Sequence, residues 1–122
     1  MKLKKYSGNP ILSPDPKQPW ESLVVCNPGV IYDKGTFYML YRAAGNDAKH
    51  VIRFGLATSK DGFHFKRAST RPNLEPSLDG EDAGCIEDPR IVKLDGRFFV
   101  TYAYRPYFPR KYWLQADNSA YN

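Results

Sequence analysis

The chain carries an internal repeat. Residues 28–31 (PGVI) return at 89–92 (PRIV), and residues 35–41 (GTFYMLY) return at 96–102 (GRFFVTY), at an offset of 61 positions without a gap. Self-similarity at a fixed period predicts a repeat architecture, in which each unit packs on the next. Because the chain has 122 residues, it holds about two such periods. The fold must therefore accommodate two copies of one supersecondary unit.

Short apolar and aromatic runs, separated by turn residues, predict antiparallel strands. The runs lie at residues 29–32, 36–42, 51–59, 63–67, 90–94 and 97–104. Asp-Gly pairs at 61–62 and 95–96 are typical of hairpin turns. Four prolines between positions 10 and 19 argue against a helix in the first 26 residues. No segment has the apolar period of a helix, so the sequence predicts an all-β fold.

Four short strands in consecutive hairpins describe one blade of a β-propeller, a ring of about four to eight blades. We expect an N-terminal segment at 1–28, a first blade unit at 29–84 and the start of a second unit at 85–122. Two blades cannot close a ring, and an open pair leaves strand edges and apolar faces uncovered. The chain is therefore expected to be part of a larger protein or to form a homo-oligomer.

Composition and charge narrow the expected partners. The net charge is +5, which raises nucleic acid or a membrane surface as a partner. The cations are scattered and no nucleic-acid motif accompanies them, so neither partner is expected. The N-terminus has lysines but no apolar signal region, and no stretch is long enough to span a membrane. A cytoplasmic location is the default expectation.

No metal site is expected from the sequence. Cys26 and Cys85 form neither a metal-binding nor a redox pair motif, and reduced, buried thiols are the default for them. His50 and His64 have no metal-ligating partner at a useful spacing. They are most simply satisfied or surface residues.

Two equivalent positions carry the candidate chemistry. Asn27 and Asp88 each stand one residue before a proline, at corresponding places in the two repeats. Equivalent loops of successive propeller blades converge on one axis, so both side chains are expected to face one cavity. Arg42 ends the first long strand and could bring a guanidinium there. An Asn or Asp before proline is also a common turn formula, and a strand-end arginine is usually solvated, so a structural role stays open for each.

Aromatic and acidic residues elsewhere have two interpretations each. Trp20 and Trp113 are either stacking platforms for a sugar or core residues. The acidic residues of the loop at 79–82 are either a solvated surface or, less simply, part of a sugar subsite.

Several motifs, taken in order, resemble the N-terminal part of glycoside hydrolase family 130, the β-mannoside phosphorylases and related β-mannosidases. They are residues 9–14 (NPILSP), 27–30 (NPGV), 37–42 (FYMLYR), 55–62 (GLATSKDG) and 84–90 (GCIEDPR). The resemblance implies a five-bladed β-propeller with its active site on the central axis, of which this chain covers about two blades. It implies that Asp88 is the single catalytic acid and that Asn27, Arg42 and Arg90 bind substrate.

A single carboxylate suits the chemistry that the resemblance implies. An inverting glycosidase needs an acid and also a base that activates water. Inorganic phosphate is already a nucleophile, so a phosphorylase can omit the base but needs cations. The implied parent activity is phosphorolysis of a β-mannoside oligosaccharide, with phosphate as co-substrate, no cofactor and release of α-mannose 1-phosphate. The acid must keep its proton near neutral pH, and we expect partial desolvation of the site to raise its pKa.

Alternatives to this interpretation remain. A β-mannosidase of the same family would use water in place of phosphate. A non-catalytic carbohydrate-binding or assembly module, truncated from an enzyme, is an alternative of a different class. The resemblance places most of the phosphate-binding residues in later blades, so we expect the 122-residue chain by itself to lack a complete active site.

Overall fold

The structure, a computed structural model, describes residues 2–108 of the chain. Within them, two antiparallel sheets follow each other along the sequence, one with strand order β1-β2-β3-β4 and one formed by β5-β6. The strands are β1 (Val24–Asp33), β2 (Thr36–Ala44), β3 (Arg53–Ser59), β4 (Lys66–Arg67), β5 (Cys85–Leu94) and β6 (Arg97–Arg105). The all-β prediction is confirmed for this part of the chain. The bounds predicted for the domain units remain predictions.

One short 3-10 turn, Pro19–Glu21, interrupts the N-terminal segment, where the prolines argued against any helix. The expectation was too strict, because a proline at the start of a helical turn needs no hydrogen-bond donor and already has a suitable φ. No helix within residues 2–108 is long and apolar enough to cross a membrane.

The hairpins β1–β2 and β5–β6 have the same turn, as their sequence similarity predicts. Lys34 and Gly35 connect the first pair with φ of 46° and 79°, and Asp95 and Gly96 connect the second with φ of 48° and 76°. Positive φ at both central residues matches the right-handed twist of the flanking strands. Glycine at the second position adopts this conformation without steric cost. The two repeats therefore begin from one backbone geometry.

The predicted loops at 26–29 and 87–90 are β-bulges inside longer strands. β1 and β5 each begin five residues before the predicted start, and their register with β2 and β6 shifts inside these two segments. Asn27 and Asp88 occupy the bulges with φ of 44° and 53°. Asn and Asp tolerate positive φ better than most residues, and a following proline is compatible with a bulge because it donates no ladder bond.

The fourth strand is shorter than the predicted run at 63–67. The Asp61 carboxylate accepts hydrogen bonds of 2.8 Å from the backbone N–H groups of both Phe63 and His64, and one of 2.9 Å from the Ser59 hydroxyl. These bonds hold residues 61–64 in a turn, so only Lys66 and Arg67 pair with β3. The sequence signal for this turn is the Asp61 side chain, which competes with the strand ladder for backbone donors.

The first sheet is covered on both faces. One face buries Met39, Tyr41, Ala43 and Ala57 under the N-terminal segment. The residues packed on that cluster are Ile11, Leu12, Trp20, Val25 and Phe65. The opposite face packs against β5. Its two clusters consist of Leu40, Phe54 and Ile86, and of Ala44, Ile52 and Cys85. The second hairpin is therefore held against the first sheet by apolar contact.

A buried ion pair fastens the N-terminal segment to the first sheet. Glu21 is fully buried, accepts a hydrogen bond of 3.0 Å from the Tyr41 hydroxyl and pairs with Arg67 Nε at 2.7 Å. Arg67 also donates to the carbonyl of Ser13. Trp20 stacks on Tyr41 with ring centroids 6.2 Å apart and donates its indole N–H to Thr70. Trp20 is thus a packing residue here, and Trp113 lies outside the described residues.

Candidate functional site

Asn27, Arg42 and Asp88 lie together where the first sheet meets the second hairpin. Asn27 Nδ2 donates a hydrogen bond of 2.8 Å to Asp88 Oδ1. Arg42 Nη1 donates to the same oxygen at 3.2 Å. The two bulges thus bring a carboxylate and an amide, 61 residues apart in sequence, into contact. The Asp88 side chain is 42% exposed, so a ligand can reach it.

The two bulged strands approach each other closely at Gly29. A Cβ atom at this position would lie 2.6 Å from the carbonyl oxygen of Pro89, closer than real Cβ atoms come to backbone. The glycine in the first repeat therefore permits the contact between the bulges. The second repeat carries Arg90 at the equivalent place, where the side chain is exposed.

A second carboxylate, Glu87, lies on the other side of Arg42. Its Oε2 is 2.9 Å from Arg42 Nη1, and its Oε1 is 3.2 Å from Arg105 Nε. The thiol of Cys85 donates to Oε1 at 3.3 Å. Glu87 was not among the residues predicted from the sequence, although it directly precedes Asp88 in the motif at 84–90.

Arg90 lies near the site but does not bond to the Asp88 carboxylate. Its Nη1 donates to the backbone carbonyl of Pro89 at 2.9 Å and to that of Asp88 at 3.4 Å. The rest of the guanidinium faces solvent. Arg90 therefore adds a positive charge beside Asp88.

The neighbours of Asp88 hold its carboxyl in the ionised form. The hydrogen bond from Asn27 and the bond and charge of Arg42 lower the pKa of Asp88 below its ordinary value of 3.8, against a smaller opposing effect of desolvation. Desolvation acts in the expected direction, but the donors outweigh it, so the expected net rise of the Asp88 pKa is wrong for this chain. The hydrogen bond from Asn27 is the largest single influence, and together with Arg42 it favours the charged form of the carboxyl.

The two cysteines near the site are free thiols, Cys26 half-buried and Cys85 buried. Burial raises the pKa of Cys26, an effect that Arg42 opposes and Asp88 and Glu87 reinforce. Burial, together with the bond to Glu87, raises the pKa of Cys85 to about 12. Both thiols therefore stay protonated. Separately, no group of three or more His, Cys, Asp and Glu residues within 2–108 could hold a metal ion.

Arg42 has one orphaned donor. Its Nε is buried and has no hydrogen-bond partner among the described residues. A buried donor without an acceptor costs about 1–3 kcal/mol. The two carboxylates that hold the other end of the guanidinium offset this cost, and they fix where the charge of Arg42 lies.

An apolar cavity of about 480 Å³ adjoins the site along the N-terminal segment. It is lined by Asn9, Pro10, Ile11, Leu12, Val25, Cys26, Pro28, Met39 and Tyr41. Cys26 and Pro28 flank Asn27, so this cavity and the Asp88 site share the first bulge.

The remaining candidates from the sequence lie elsewhere. His50 is buried, with its Nδ1 3.2 Å from the carbonyl of Gly45, and exposed His64 pairs with Asp61 at 2.6 Å. In the acidic loop, Glu81 and Asp82 accept hydrogen bonds from tyrosines of β6. These residues do not contribute to the cluster around Asp88.

Comparison with known proteins identifies the family. The model of glycoside hydrolase family 130, described as beta-1,4-mannooligosaccharide phosphorylase, matches residues 2–116. This match spans nearly the whole sequence. The chain therefore belongs to glycoside hydrolase family 130.

Two curated proteins of Thermoanaerobacter sp. (strain X514) are similar in sequence. A 1,2-beta-oligomannan phosphorylase is 39% identical over 107 residues, and a beta-1,2-mannobiose phosphorylase is 36% identical over 115 residues. The alignments cover 84% and 83% of this chain, but 36% of each relative. The chain thus spans about a third of the length of the curated relatives that it matches.

Solved structures agree with this assignment over the same share of their length. One of them belongs to a family of mannoside phosphorylases that contains glycoside hydrolases targeting beta-1,2 mannosidic linkages in Candida mannan. Its TM-score is 0.69 at 31% sequence identity, and the match covers 83% of this chain and 33% of that chain. A glycosyl hydrolase from Bacteroides ovatus has a TM-score of 0.66 and 27% identity, over 83% and 38%.

Proposed function

We propose that the chain is the N-terminal part of a five-bladed β-propeller enzyme that cleaves β-mannosides with inorganic phosphate and releases α-mannose 1-phosphate. The repeat, with one four-stranded sheet followed by the first hairpin of another, supports a blade architecture. Family membership and the two phosphorylase relatives support the reaction. Because both curated relatives are described as acting on β-1,2 compounds, a β-1,2-linked mannoside is the proposed substrate.

Asp88 is the proposed proton donor. The observation that carries this assignment is the meeting of two equivalent bulges, which presents one exposed carboxylate to Asn27 and Arg42. In the free chain the carboxyl is ionised, so it can act as an acid only after a bound sugar weakens its contacts or excludes water. Asn27, Arg42 and Arg90 are the proposed contacts to sugar hydroxyls, since each has amide or guanidinium donors within or beside the cluster.

Phosphorolysis requires cations that hold the phosphate. Arg42 and Arg105 are already paired with carboxylates. We therefore assign most of the phosphate site to blades beyond this chain. The isolated chain is accordingly expected to show little or no turnover.

The assignment is tested in the full-length enzyme with Asp88→Asn. Asparagine keeps the size of the side chain and tolerates the positive φ, so the fold should persist while the proton source is lost. Phosphate release from α-mannose 1-phosphate, measured with mannose as the acceptor, should fall by at least about 100-fold, the range of general acid catalysis. Asp95→Asn is the matched control, because Asp95 also has positive φ but lies at the exposed β5–β6 turn. A near-normal rate for Asp88→Asn would remove Asp88 from the mechanism.

A β-mannosidase is the second candidate, because one structurally similar protein comes from a group that contains hydrolases. The two activities are separated by incubating the full-length enzyme with β-1,2-mannobiose with and without phosphate. Mannose 1-phosphate formed only with phosphate supports the phosphorylase. Equal release of mannose in phosphate-free buffer would establish the hydrolase instead.

Self-association of the isolated chain is also proposed. The outward side of the second hairpin exposes Val92, Leu94 and Phe99, an apolar surface of the kind that usually forms an interface. Light scattering at micromolar concentration should give a mass above that of one chain. A clean monomer would contradict this proposal.

A further inference from the structure

We propose that Glu87 is a positioning residue that shares Arg42 with Asp88 and so limits how strongly the guanidinium stabilises the Asp88 carboxylate. The proposal deepens the proposed function and rests on it for its catalytic consequence. Its structural part concerns the chain alone and can be tested without any turnover.

The geometry of Arg42 is the basis of this inference. A single nitrogen, Nη1, lies 2.9 Å from Glu87 Oε2 and 3.2 Å from Asp88 Oδ1, so one end of the guanidinium serves both carboxylates. The shorter contact is with Glu87, whose side chain is 9% exposed against 42% for Asp88. Charges interact more strongly where water is excluded. Arg42 is therefore committed more to Glu87 than to Asp88.

Glu87 is itself held in place from several elements. From β6, Arg105 Nε pairs with its Oε1 at 3.2 Å, and from β5 the Cys85 thiol donates to the same atom. Among residues 2–108, Cys26 on β1 and Arg90 on β5 also interact electrostatically with Asp88. The contacts with Arg42 and Arg105 place the Glu87 carboxylate on the far side of Arg42 from Asp88.

The chemical consequence concerns how readily Asp88 takes up a proton. A general acid works best when its pKa lies near the operating pH, and an arginine bound to it alone would work against this. A second carboxylate on the same guanidinium divides the cation's stabilisation and repels the Asp88 charge. In this arrangement Arg42 still orients the Asp88 side chain, while Glu87 reduces how strongly Arg42 favours the ionised form of Asp88.

The test is a carboxyl titration of Asp88 by ¹³C NMR in the 122-residue chain and in Glu87→Gln. Glutamine keeps the length of the side chain and its carbonyl can still accept from Arg42, but the charge is gone. The Asp88 midpoint should move to lower pH in Glu87→Gln. Glu75→Gln is the matched control, since it removes the same charge from an exposed loop where Glu75 pairs with Arg53 at 3.7 Å. It should leave the midpoint unchanged.

A second variant keeps the test decisive if Glu87→Gln does not fold. Arg105→Gln removes the half-exposed partner of Glu87 and leaves its charge less compensated, so the Asp88 midpoint should rise. An unchanged or raised midpoint in folded Glu87→Gln, or an unchanged or lowered one in Arg105→Gln, overturns the proposal. A structural role of Glu87 alone would not produce opposite shifts in the two variants.

The catalytic consequence is read separately in the full-length enzyme. If Asp88 is the acid, the alkaline limb of the kcat/KM profile should move to lower pH in Glu87→Gln, parallel to the NMR shift. An NMR shift without a change in the profile would support the positioning role and overturn the assignment of Asp88 as the acid. The two failures are therefore distinguishable.

Discussion

The hairpins β1–β2 and β5–β6 have the same turn and bulge, but strand β2 of the first is mostly buried and strand β6 of the second is partly exposed. Met39 and Tyr41 on β2 are 3% and 1% exposed, whereas Val100 and Tyr102, their counterparts 61 residues later on β6, are 39% and 38% exposed. The turn and the bulge are the same in both. The comparison shows that the local sequence encodes the shape of the unit, while the burial of each copy depends on its neighbours.

Those neighbours differ in a specific way. The first hairpin lies between the N-terminal segment and β5, and its strand β2 also pairs with β3. The second hairpin contacts the first sheet on one side, and no further strand of the described region pairs with β6. Contacts across the junction include the Asp33–Lys93 ion pair at 2.6 Å and an edge-on contact between Phe54 and Tyr102.

The largest expected effect is a difference in stability loss when equivalent residues of the two hairpins are replaced by alanine. Met39→Ala removes buried side-chain volume and should lower the free energy of unfolding by about 2–5 kcal/mol. Val100→Ala, at the same place in the second repeat, should cost less than about 1 kcal/mol, because its side chain remains in partial contact with water. Urea unfolding of both variants measures the difference. Equal losses would show that the second hairpin is as well packed as the first.

A smaller effect is expected at the junction of the bulges. Gly29→Ala places a Cβ against the Pro89 carbonyl and should destabilise the chain by about 1–3 kcal/mol, as overpacking does. Alanine at the equivalent position of the second repeat, Arg90→Ala, should change the free energy of unfolding by no more than about 0.5 kcal/mol, because that side chain is exposed. Thermal unfolding compares the two. Tolerance of Gly29→Ala would mean that the two bulges do not meet as described.

The smallest effect is a pH dependence located in one repeat. Folding lowers the pKa of Asp88, so ionised Asp88 contributes stability above its ordinary value of 3.8, and this contribution is lost as the pH falls through the folded pKa. Asp88→Asn should therefore flatten the decline of stability in that acid range, by a small amount because the carboxyl is half-exposed. Asp95→Asn is the control from the exposed turn. Stability curves of identical slope for wild type and Asp88→Asn would contradict this expectation.

Much of the fold could be predicted from the sequence, because turns and alternating strands are local signals. The Asp-Gly turn at 95–96 and the offset of 61 positions fixed where the second hairpin lies. The bulges were missed, since an Asn-Pro or Asp-Pro pair has the same residues in a loop and in a bulged strand. Only pairing with β2 and β6 distinguishes the two cases.

The site was only partly accessible to sequence reasoning. The repeat brought Asn27 and Asp88 to one place, since equivalent positions converge. The lowered pKa of Asp88 and the proposed role of Glu87 depend on distances of about one hydrogen bond around Arg42, which no spacing in the sequence encodes. The pKa of a carboxyl follows from its nearest donors, so it could not be deduced from residue types alone.

The most direct test of the account asks whether the two bulges converge in solution. The side-chain amide protons of Asn27, observed by ¹⁵N-edited NMR through an acid titration of the chain, should shift with a midpoint below 3.8, because Nδ2 donates to the Asp88 carboxylate. In Asp88→Asn this titration should disappear while the backbone spectrum is retained. An Asn27 amide signal that does not titrate in the wild type, or that titrates equally in Asp88→Asn, would contradict the central claim that the two repeats build one site.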